Sequence, residues 1–420
     1  MIEWSEQHQQ IRTMVRRFVE TEIAPHVEQL EHGDMLPYDL LRKMLKTFGA
    51  GEMAKSQFQR RLARDKARLT ASDSRGDDER TGDERAASKK TRAGAGNALA
   101  MRLIPVIELC RYCPGMVTAL GVSAGLTASA IMKRGTIAQQ ERWVPDLLTL
   151  DKIGAWAITE PGSGSDAFGG MKSVARRDGD GYILSGSKTF ITNGPYADTI
   201  VFICKLDDGS EPKDRKILSF VLDRGMPGLS QPRPLRKMGM HSSPTGELFL
   251  DDVRVGRDRL LGESEDNAGG RSDAKTTFTT ERTGVAAMAL GIVEECLKLS
   301  VDYAKTRVQF GQPIAQFQLI QLKLAKMEVA RMNIQNLVFR QIEMAERGIS
   351  PSMAEASACK LYCAQATVEV CMEAVQLFGG NGYMSEYRVE QLCRDAKVLQ
   401  IFGGTDEIQV TAIARDLLAG

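Results

Sequence analysis

Three hydrophobic rhythms follow one another along the chain. Residues 1 to about 50 place apolar side chains at helical spacing, with Ser5 set to cap a first helix and Pro25 set to end it. Helical spacing returns from Leu99 to about Leu148. Near Ile153 it gives way to short runs rich in β-branched and aromatic residues, at 155–158, 173–177, 182–185, 189–192, 199–205, 217–222 and 247–250. Turn residues separate these runs, and Asp178-Gly179-Asp180-Gly181 is a hairpin signal. Their spacing predicts a small β-barrel or sandwich of about 100 residues. From Asp273 onward the pattern is helical to the end.

This layout predicts an α+β multidomain protein: an N-terminal α-helical domain over 1–152, a central β-barrel-like domain over 153–272 and a C-terminal helical domain over 273–420. Residues 55–96 break the first of these. They carry both charge signs and almost no large apolar residue after Leu69. Such a composition does not offset the entropy of ordering, so the segment reads as a disordered or loosely attached surface loop. Its basic half, Arg60 to Arg68, is alternatively a handle for phosphate or a partner, although no aromatic residues interleave it as a stacking platform would require.

The stretch from Thr279 to Gly311 organises the C-terminal part. Thr279 and Thr280 are good N-caps, and Glu281 and Arg282 then fall in a first helical turn. Val285, Met288, Ala289, Ile292, Val293 and Leu297 share one face, and the small residues Gly284, Ala286, Ala287 and Gly291 admit a close neighbour. The helix closes on Arg307-Val308-Gln309-Phe310-Gly311, about seven turns beyond Glu281. A long core helix with a capping acid would look the same.

Bulk properties narrow the class. With 420 residues, 43% hydrophobic and 26% charged, the chain can bury a large core across two or three domains. A net charge of +1 gives no global reason to expect nucleic acid or an acidic membrane surface. No apolar run reaches the roughly 18 residues of a membrane span, and the N-terminus lacks a signal-like apolar segment, so a cytoplasmic protein is expected. Of eight cysteines, Cys110 and Cys113 form a lone C-x-x-C and Cys359 and Cys363 lie one turn apart. None of the four histidines is near either pair, which predicts reduced structural thiols and no metal.

Two segments of the β region carry candidate chemistry. Thr159-Glu160-Pro161-Gly162-Ser163-Gly164-Ser165-Asp166 follows a strand and can converge backbone N–H groups and hydroxyls on an anion such as a pyrophosphate. Gly186-Ser187-Lys188-Thr189-Phe190-Ile191-Thr192-Asn193-Gly194 puts Phe190 and Thr192 on one side of a strand, suited to a flat heteroaromatic ring or simply half-buried. Further on come Gln376-Leu377-Phe378-Gly379-Gly380-Asn381-Gly382-Tyr383 and Ile401-Phe402-Gly403-Gly404-Thr405-Asp406-Glu407-Ile408-Gln409, where Thr405 caps a last helix with two acids in its first turn.

Together with W-A-I-T-E-P-G-S-G-S-D, K-T-F-I-T-N-G and R-V-Q-F-G-Q-P-I, these motifs resemble the acyl-CoA dehydrogenase flavoprotein family over nearly the whole chain. The resemblance implies a helical N-terminal domain, a central β domain and a C-terminal four-helix bundle. It implies FAD, an acyl-CoA substrate, a homotetramer built from dimers, electron-transfer flavoprotein as electron acceptor, and a place in fatty-acid and lipid metabolism. By motif position, Trp156, Ile158, Thr159, Gly164, Ser165, Phe190, Ile191 and Thr192 are expected at FAD. Arg307, Gln309, Phe310, Gln318, Gln376, Gly379 and Gly380 resemble groups that hold the flavin of a neighbouring subunit, and Thr405 and Glu407 meet the adenine half, Glu407 standing where glutamine is commoner. Ser165, Thr279, Arg282, Gly404 and Arg415 fall on the substrate side.

One departure is informative. Many members carry the catalytic glutamate at the position of Gly403. A minority branch, resembling isovaleryl-CoA and long-chain acyl-CoA dehydrogenases, places it on the long helix directly before an arginine, where this chain has Glu281 and Arg282. The implied reaction is α,β-dehydrogenation of a branched, bulky or medium-to-long acyl-CoA to the trans-2-enoyl-CoA. Glu281 removes the α-proton, hydride passes to flavin N5, and the flavin ribityl chain and a backbone N–H near Gly403 hydrogen-bond the thioester carbonyl. The alternatives are an acyl-CoA or nitroalkane oxidase-like enzyme, whose short members carry an acid at the position of Gly403, and a non-catalytic FAD- and CoA-binding scaffold with a partner- or DNA-binding insert.

Overall fold

The computed structural model describes residues 3–72, 94–266 and 270–419, with only the backbone path described at 69–72 and 270–280. Helix α1 (Glu6–Phe18) starts at Ser5, whose hydroxyl accepts the His8 N–H at 3.2 Å. A π turn and a short turn holding Pro25 lead into α2 (Val27–His32), α3 (Tyr38–Thr47) and α4 (Ala50–Ser72).

The expectation of a loose loop from residue 55 is corrected here, because 55–72 continue α4. Phe58 and Leu62, one turn apart, are buried in a cluster with Ile131, Trp143 and Val144. Arg61 donates to Gln140 Oε1 at 2.7 Å and Lys66 to Glu141 Oε1 at 2.6 Å. Two apolar residues and a lattice of polar contacts therefore order a segment whose composition reads as solvated. The remainder of the charged stretch, 73–93, lies outside the described residues.

Helix α5 (Ala95–Cys110) is followed by α6 (Pro114–Leu120), which passes through a π-helical stretch, Gly121–Thr127, into α7 (Ala128–Arg134). This Pro114–Arg134 run has 21 residues and is long and apolar enough to cross a membrane, contrary to the expectation that no such run exists. Here it packs on protein: Ser123 and Thr127 are wholly buried, and the Gly154 N–H donates to Ser123 Oγ at 2.9 Å. Core helices of water-soluble folds meet the same criterion. Helix α8 (Ile137–Thr149) begins with a reciprocal cap between Thr136 and Gln139.

The central layer is one curled sheet of β1 (Gly154–Ala157), β2 (Val174–Asp178), β3 (Gly181–Thr192), β4 (Thr199–Leu206), β5 (Ile217–Asp223), β6 (Leu229–Ser230) and β7 (Thr245–Gly256). Strand β4 pairs with β5 along one edge; along the other it pairs in parallel first with β1 and then with β2. The sheet continues β2-β3-β7-β6. The predicted hairpin is present: Asp178 pairs with Gly181, and Gly179 takes a φ of 59°. The runs at 182–185 and 189–192 join in a single strand, with register shifts against β7 where they meet.

The C-terminal bundle comprises α9 (Gly270–Thr306), α10 (Gln318–Glu346), α11 (Met353–Phe378), α12 (Val389–Lys397) and α13 (Asp406–Ala419). Because α9 begins at Gly270, Thr279 and Thr280 lie inside it and are not its N-caps, and Glu281 sits three turns in. Its face of Val285, Met288, Ala289, Ile292 and Val293 is buried in a core shared with α1, α3 and α5. Helix α5 crosses so closely that a Cβ on Gly291 would stand 2.1 Å from the Ile107 carbonyl oxygen. Glycine is required there.

Candidate active site

The gap between β1 and β2 on the edge of β4 is filled by the Thr159–Asp166 motif and its continuation to Ser173. A buried ion pair holds it. Lys188 Nζ donates to Glu160 Oε1 at 2.9 Å and to the Ile158 carbonyl at 3.0 Å. Glu160 also accepts the N–H groups of Lys172 at 2.6 Å and Ser173 at 2.9 Å. Burial alone would raise the Glu160 carboxyl; Lys188 and these N–H donors outweigh it and hold it below its ordinary range. The Thr189 N–H reaches the Thr159 carbonyl at 3.0 Å, which joins the two sequence motifs.

Fixed in this way, Gly162 and Gly164 face open space and Ser165 is exposed. Trp156, Thr159 and Thr192 are half-buried. Phe190 takes a φ of 56° at the register shift in β3 and stands 68% exposed. A bulge of this kind re-aims a side chain, and an open aromatic beside a glycine-rich turn fits a flat ring with an anionic tail. Two expectations are corrected in part. The side chains of Ile158 and Ile191 are buried in the core, so only their backbones can serve a cofactor.

The second cluster forms where α9 meets the 401–405 loop. A Cβ built on Gly403 would stand 3.5 Å from Glu281 Cδ and 3.7 Å from its Oε1. Glu281 thus lies against the very position whose side chain is missing. Burial pushes its carboxyl up to about 7, with Arg282 and Lys360 opposing the shift. Arg282 is buried, and it donates to Ser357 Oγ at 2.8 Å and to the Gly403 carbonyl at 3.3 Å. The buried Lys360 pairs with Asp406 at 3.1 Å. Thr405 caps α13, accepting the Ile408 N–H at 3.4 Å, and Glu407 is exposed beside it. Gly404 belongs to this cluster. Arg415 does not, being about 14 Å along α13 from Asp406 at 1.5 Å per residue. The side chain of Thr279 lies outside the described residues.

A third cluster sits at the far end of α9. Val308–Gln309 and Gln312–Pro313 form a small hairpin, β8 and β9, turned by Phe310 (φ 51°) and Gly311 (φ 78°). Phe310 is 94% exposed. Tyr303 stacks on Phe378 at 4.0 Å, which draws Arg307, Gln309 and Phe310 to the same end as Gln376, Gly379 and Gly380, all exposed. Gln318, exposed at the start of α10, follows directly.

Family models for acyl-CoA dehydrogenase match the chain in three consecutive parts: the N-terminal domain over 5–54 and 88–151, the middle domain over 155–253 and the C-terminal domain over 268–418. An acyl-CoA dehydrogenase of Bacillus subtilis is 35% identical over 410 residues, covering 98% of this chain and 97% of that protein. The chain belongs to the acyl-CoA dehydrogenase family.

A 3-(aryl)acrylate reductase of Clostridium sporogenes is 33% identical over 415 residues, covering 99% of each protein. The solved butyryl-CoA dehydrogenase of Megasphaera elsdenii superposes with a TM-score of 0.81 at 32% identity, covering 100% of both chains. This acyl-CoA dehydrogenase is therefore an FAD-dependent enzyme that oxidises the CH–CH bond of an acyl-CoA, on a three-domain fold of helical ends and a curled central sheet.

Sequence reasoning passed over Lys188, Glu160, Asn193 and Gln409, although each lies within a motif it singled out. Asn193 donates to the carbonyls of Ala119 and Gly154, both at 2.9 Å, and so ties the end of β3 to α6 and β1. A lysine in the middle of a strand run was a usable signal, since a charge on the buried face of a sheet needs a partner.

Proposed function

We propose that Glu281 is the base of this acyl-CoA dehydrogenase. What carries the reading is the 3.5 Å separation between Glu281 Cδ and the Cβ position of Gly403. One carboxylate stands beside the place the other would occupy, reached from a helix in place of a loop. A carboxyl lifted to about 7 is both largely ionised above neutrality and basic enough to take a weakly acidic α-proton. Arg282, spent on Ser357 and the Gly403 carbonyl, orients the loop and leaves Glu281 without a direct ion pair among the described residues. When bound, FAD supplies the two-electron acceptor that takes the β-hydrogen as hydride. Phe190, Thr192, Trp156, Thr159, Gly164 and Ser165 would hold it.

The substrate is a branched, bulky or longer acyl-CoA, and its product the trans-2-enoyl-CoA. Gly403 contributes no side chain to the acyl side, and Gly284, one turn after Glu281, has open space where its side chain would be. The aryl-bearing relative is consistent with a wide pocket; the butyryl-CoA relative makes a short straight chain the necessary control.

The exposed third cluster supports assembly as a dimer of dimers with Phe310 turned toward a second copy. Leu319, Leu322, Val329 and Met332 leave apolar surface on α10, and Leu417 and Leu418 on α13. Electron-transfer flavoprotein as acceptor and a cytoplasmic site of action complete the reading.

Anaerobic titration of the holoenzyme with butyryl-, isovaleryl- and 3-phenylpropionyl-CoA, followed in the oxidised flavin band, tests it. Bleaching by the branched or ring-bearing thioesters, lost by at least about 10²-fold in rate in Glu281→Gln, is expected. A Glu281→Gln enzyme that bleaches at the wild-type rate removes Glu281 from the role.

A further inference from the structure

We infer that Lys360 is a positioning residue for proton abstraction: paired with Asp406 beneath the 401–405 loop, it supplies the fixed positive charge that decides when Glu281 stands ready as a carboxylate. This rests on the reading of Glu281 as the base.

Lys360 is wholly buried on α11, one turn after Ser357. Its Nζ meets Asp406 Oδ1 at 3.1 Å and no other acceptor among the described residues. Ser357 takes the Arg282 guanidinium at 2.8 Å, so one face of α11 gathers both cations. The segment from Gly403 to Asp406 closes the cluster. At its first residue lies Glu281, whose Cδ is 3.5 Å from the Cβ position of Gly403, and at its last lies Lys360. The two residues are three apart in the chain, so their backbones are separated by no more than about 11 Å. Gln409 fixes that span, its Nε2 donating to the carbonyls of Gly403 at 3.1 Å and Gly404 at 2.7 Å.

Two cations and two carboxylates share this cluster. Arg282 spends its donors on neutral groups, the Ser357 hydroxyl, the Met353 sulfur and the Gly403 carbonyl. Asp406 pairs directly with Lys360. With Glu281 protonated the cluster carries one net positive charge, and with Glu281 ionised it carries none. Desolvation acts the other way and pushes the Glu281 carboxyl up, against Arg282 and Lys360. The 401–405 loop brings no charged side chain, and Glu407 on α13 is exposed beside Asp406. Lys360 itself is faced by Asp406, Arg282 and Glu407. Asp406 therefore sets how much of the Lys360 charge reaches Glu281. A buried ion pair is a weak source of net stability. Here it holds a charge near the reacting carboxyl, where salt screens it little.

Two measurements on the holoenzyme separate this role from simple support of the bundle. Infrared titration between pH 5 and 9 reads Glu281 directly, through the stretch of its protonated carboxyl, assigned by its absence in Glu281→Gln. The flavin bleaching rate over the same range, with whichever of butyryl-, isovaleryl- and 3-phenylpropionyl-CoA reacts fastest, reads the base. In Lys360→Met both midpoints should rise together by about one pH unit, the scale of one charge facing a desolvated carboxyl. In Asp406→Asn both should fall. Loss of packing alone would not send the two variants in opposite directions. The Asp406 side chain is 15% exposed at the start of α13 and asparagine keeps its size, so this variant decides the matter even where Lys360→Met fails to hold FAD. A Glu281 midpoint that stays in place or moves the wrong way, in either variant that retains FAD, overturns the inference. Infrared midpoints that move as expected while the rate profile stays put instead fail the base assignment itself.

Discussion

At one end of α9, Arg282 is 6% exposed and Glu281 is half-buried, with desolvation raising its carboxyl to about 7. At the other, Phe310 is 94% exposed on a turn of two left-handed residues, one of which is not glycine. On the reading proposed for Glu281, the first end is the reaction centre, where desolvation changes what a side chain can do. The second carries an aromatic ring in a backbone conformation that costs about 1–2 kcal/mol and leaves it in water. The 26 residues from Glu281 to Arg307 span about 39 Å, too far for both ends to serve one flavin within a protomer. On the assembly proposed here, half of each site would be finished within the chain and the other half supplied by a second copy.

The widest test of that division is a hybrid. Glu281→Gln and Phe310→Ala chains are each expected to be nearly inactive as homo-oligomers. Co-expressed, they should regain activity, because one site in each mixed dimer combines an intact Glu281 with an intact Phe310. Tagged hybrids purified and assayed by acyl-CoA bleaching check this, and a hybrid as inactive as its parents would place both residues in the same protomer's site.

The enclosed end sets a pH profile. With its carboxyl at about 7, Glu281 should make the bleaching rate rise roughly tenfold per pH unit below neutrality and level off above it. Stopped-flow rates between pH 5 and 9 decide this, and a profile flat from pH 5 upward contradicts a base raised by desolvation.

The β side should break through stability. Lys188→Met leaves Glu160 buried without its cation, a loss of about 3–5 kcal/mol that thermal or urea unfolding would register, with FAD release following. Unchanged unfolding would mean the pair holds nothing in place.

A smaller effect has the opposite sign. The Glu281 carboxyl binds its proton more tightly in the folded protein than in the unfolded chain. Stability therefore falls as pH rises from about 4.5 to about 7, and the deficit persists above. Glu281→Gln should be more stable than wild type at pH 8, by up to about 3 kcal/mol, and indistinguishable near pH 4. Unfolding curves at the two pH values provide the check.

Much of the fold was legible where periodicity and turn chemistry agree, as at the 178–181 hairpin and along the apolar face from Val285 to Val293. It was not legible where order comes from few contacts. Residues 55–72 look solvated because, among the described side chains, the buried apolar ones there are Phe58 and Leu62 and the other contacts are polar, and 270–280 carry no apolar face to announce that α9 has already begun. The two threonines there have the chemistry of caps, but the helix runs through them. In the site, Glu281 stood out through the absence at Gly403. Gln409, Glu160 and Lys188 did not, because their partners are backbone groups or distant residues that spacing does not reveal. Ile158 and Ile191 illustrate the converse, since a motif position does not say which way a side chain faces.

On the reading proposed for Glu281, the 401–405 loop keeps its glycine backbone but carries no reacting side chain. Residue 403 is then released from proton transfer but held to glycine by its left-handed backbone, so that the acyl side of the loop stays without a side chain there while proton transfer is anchored to a helix. Two properties that share one residue elsewhere in the family would here be inherited separately.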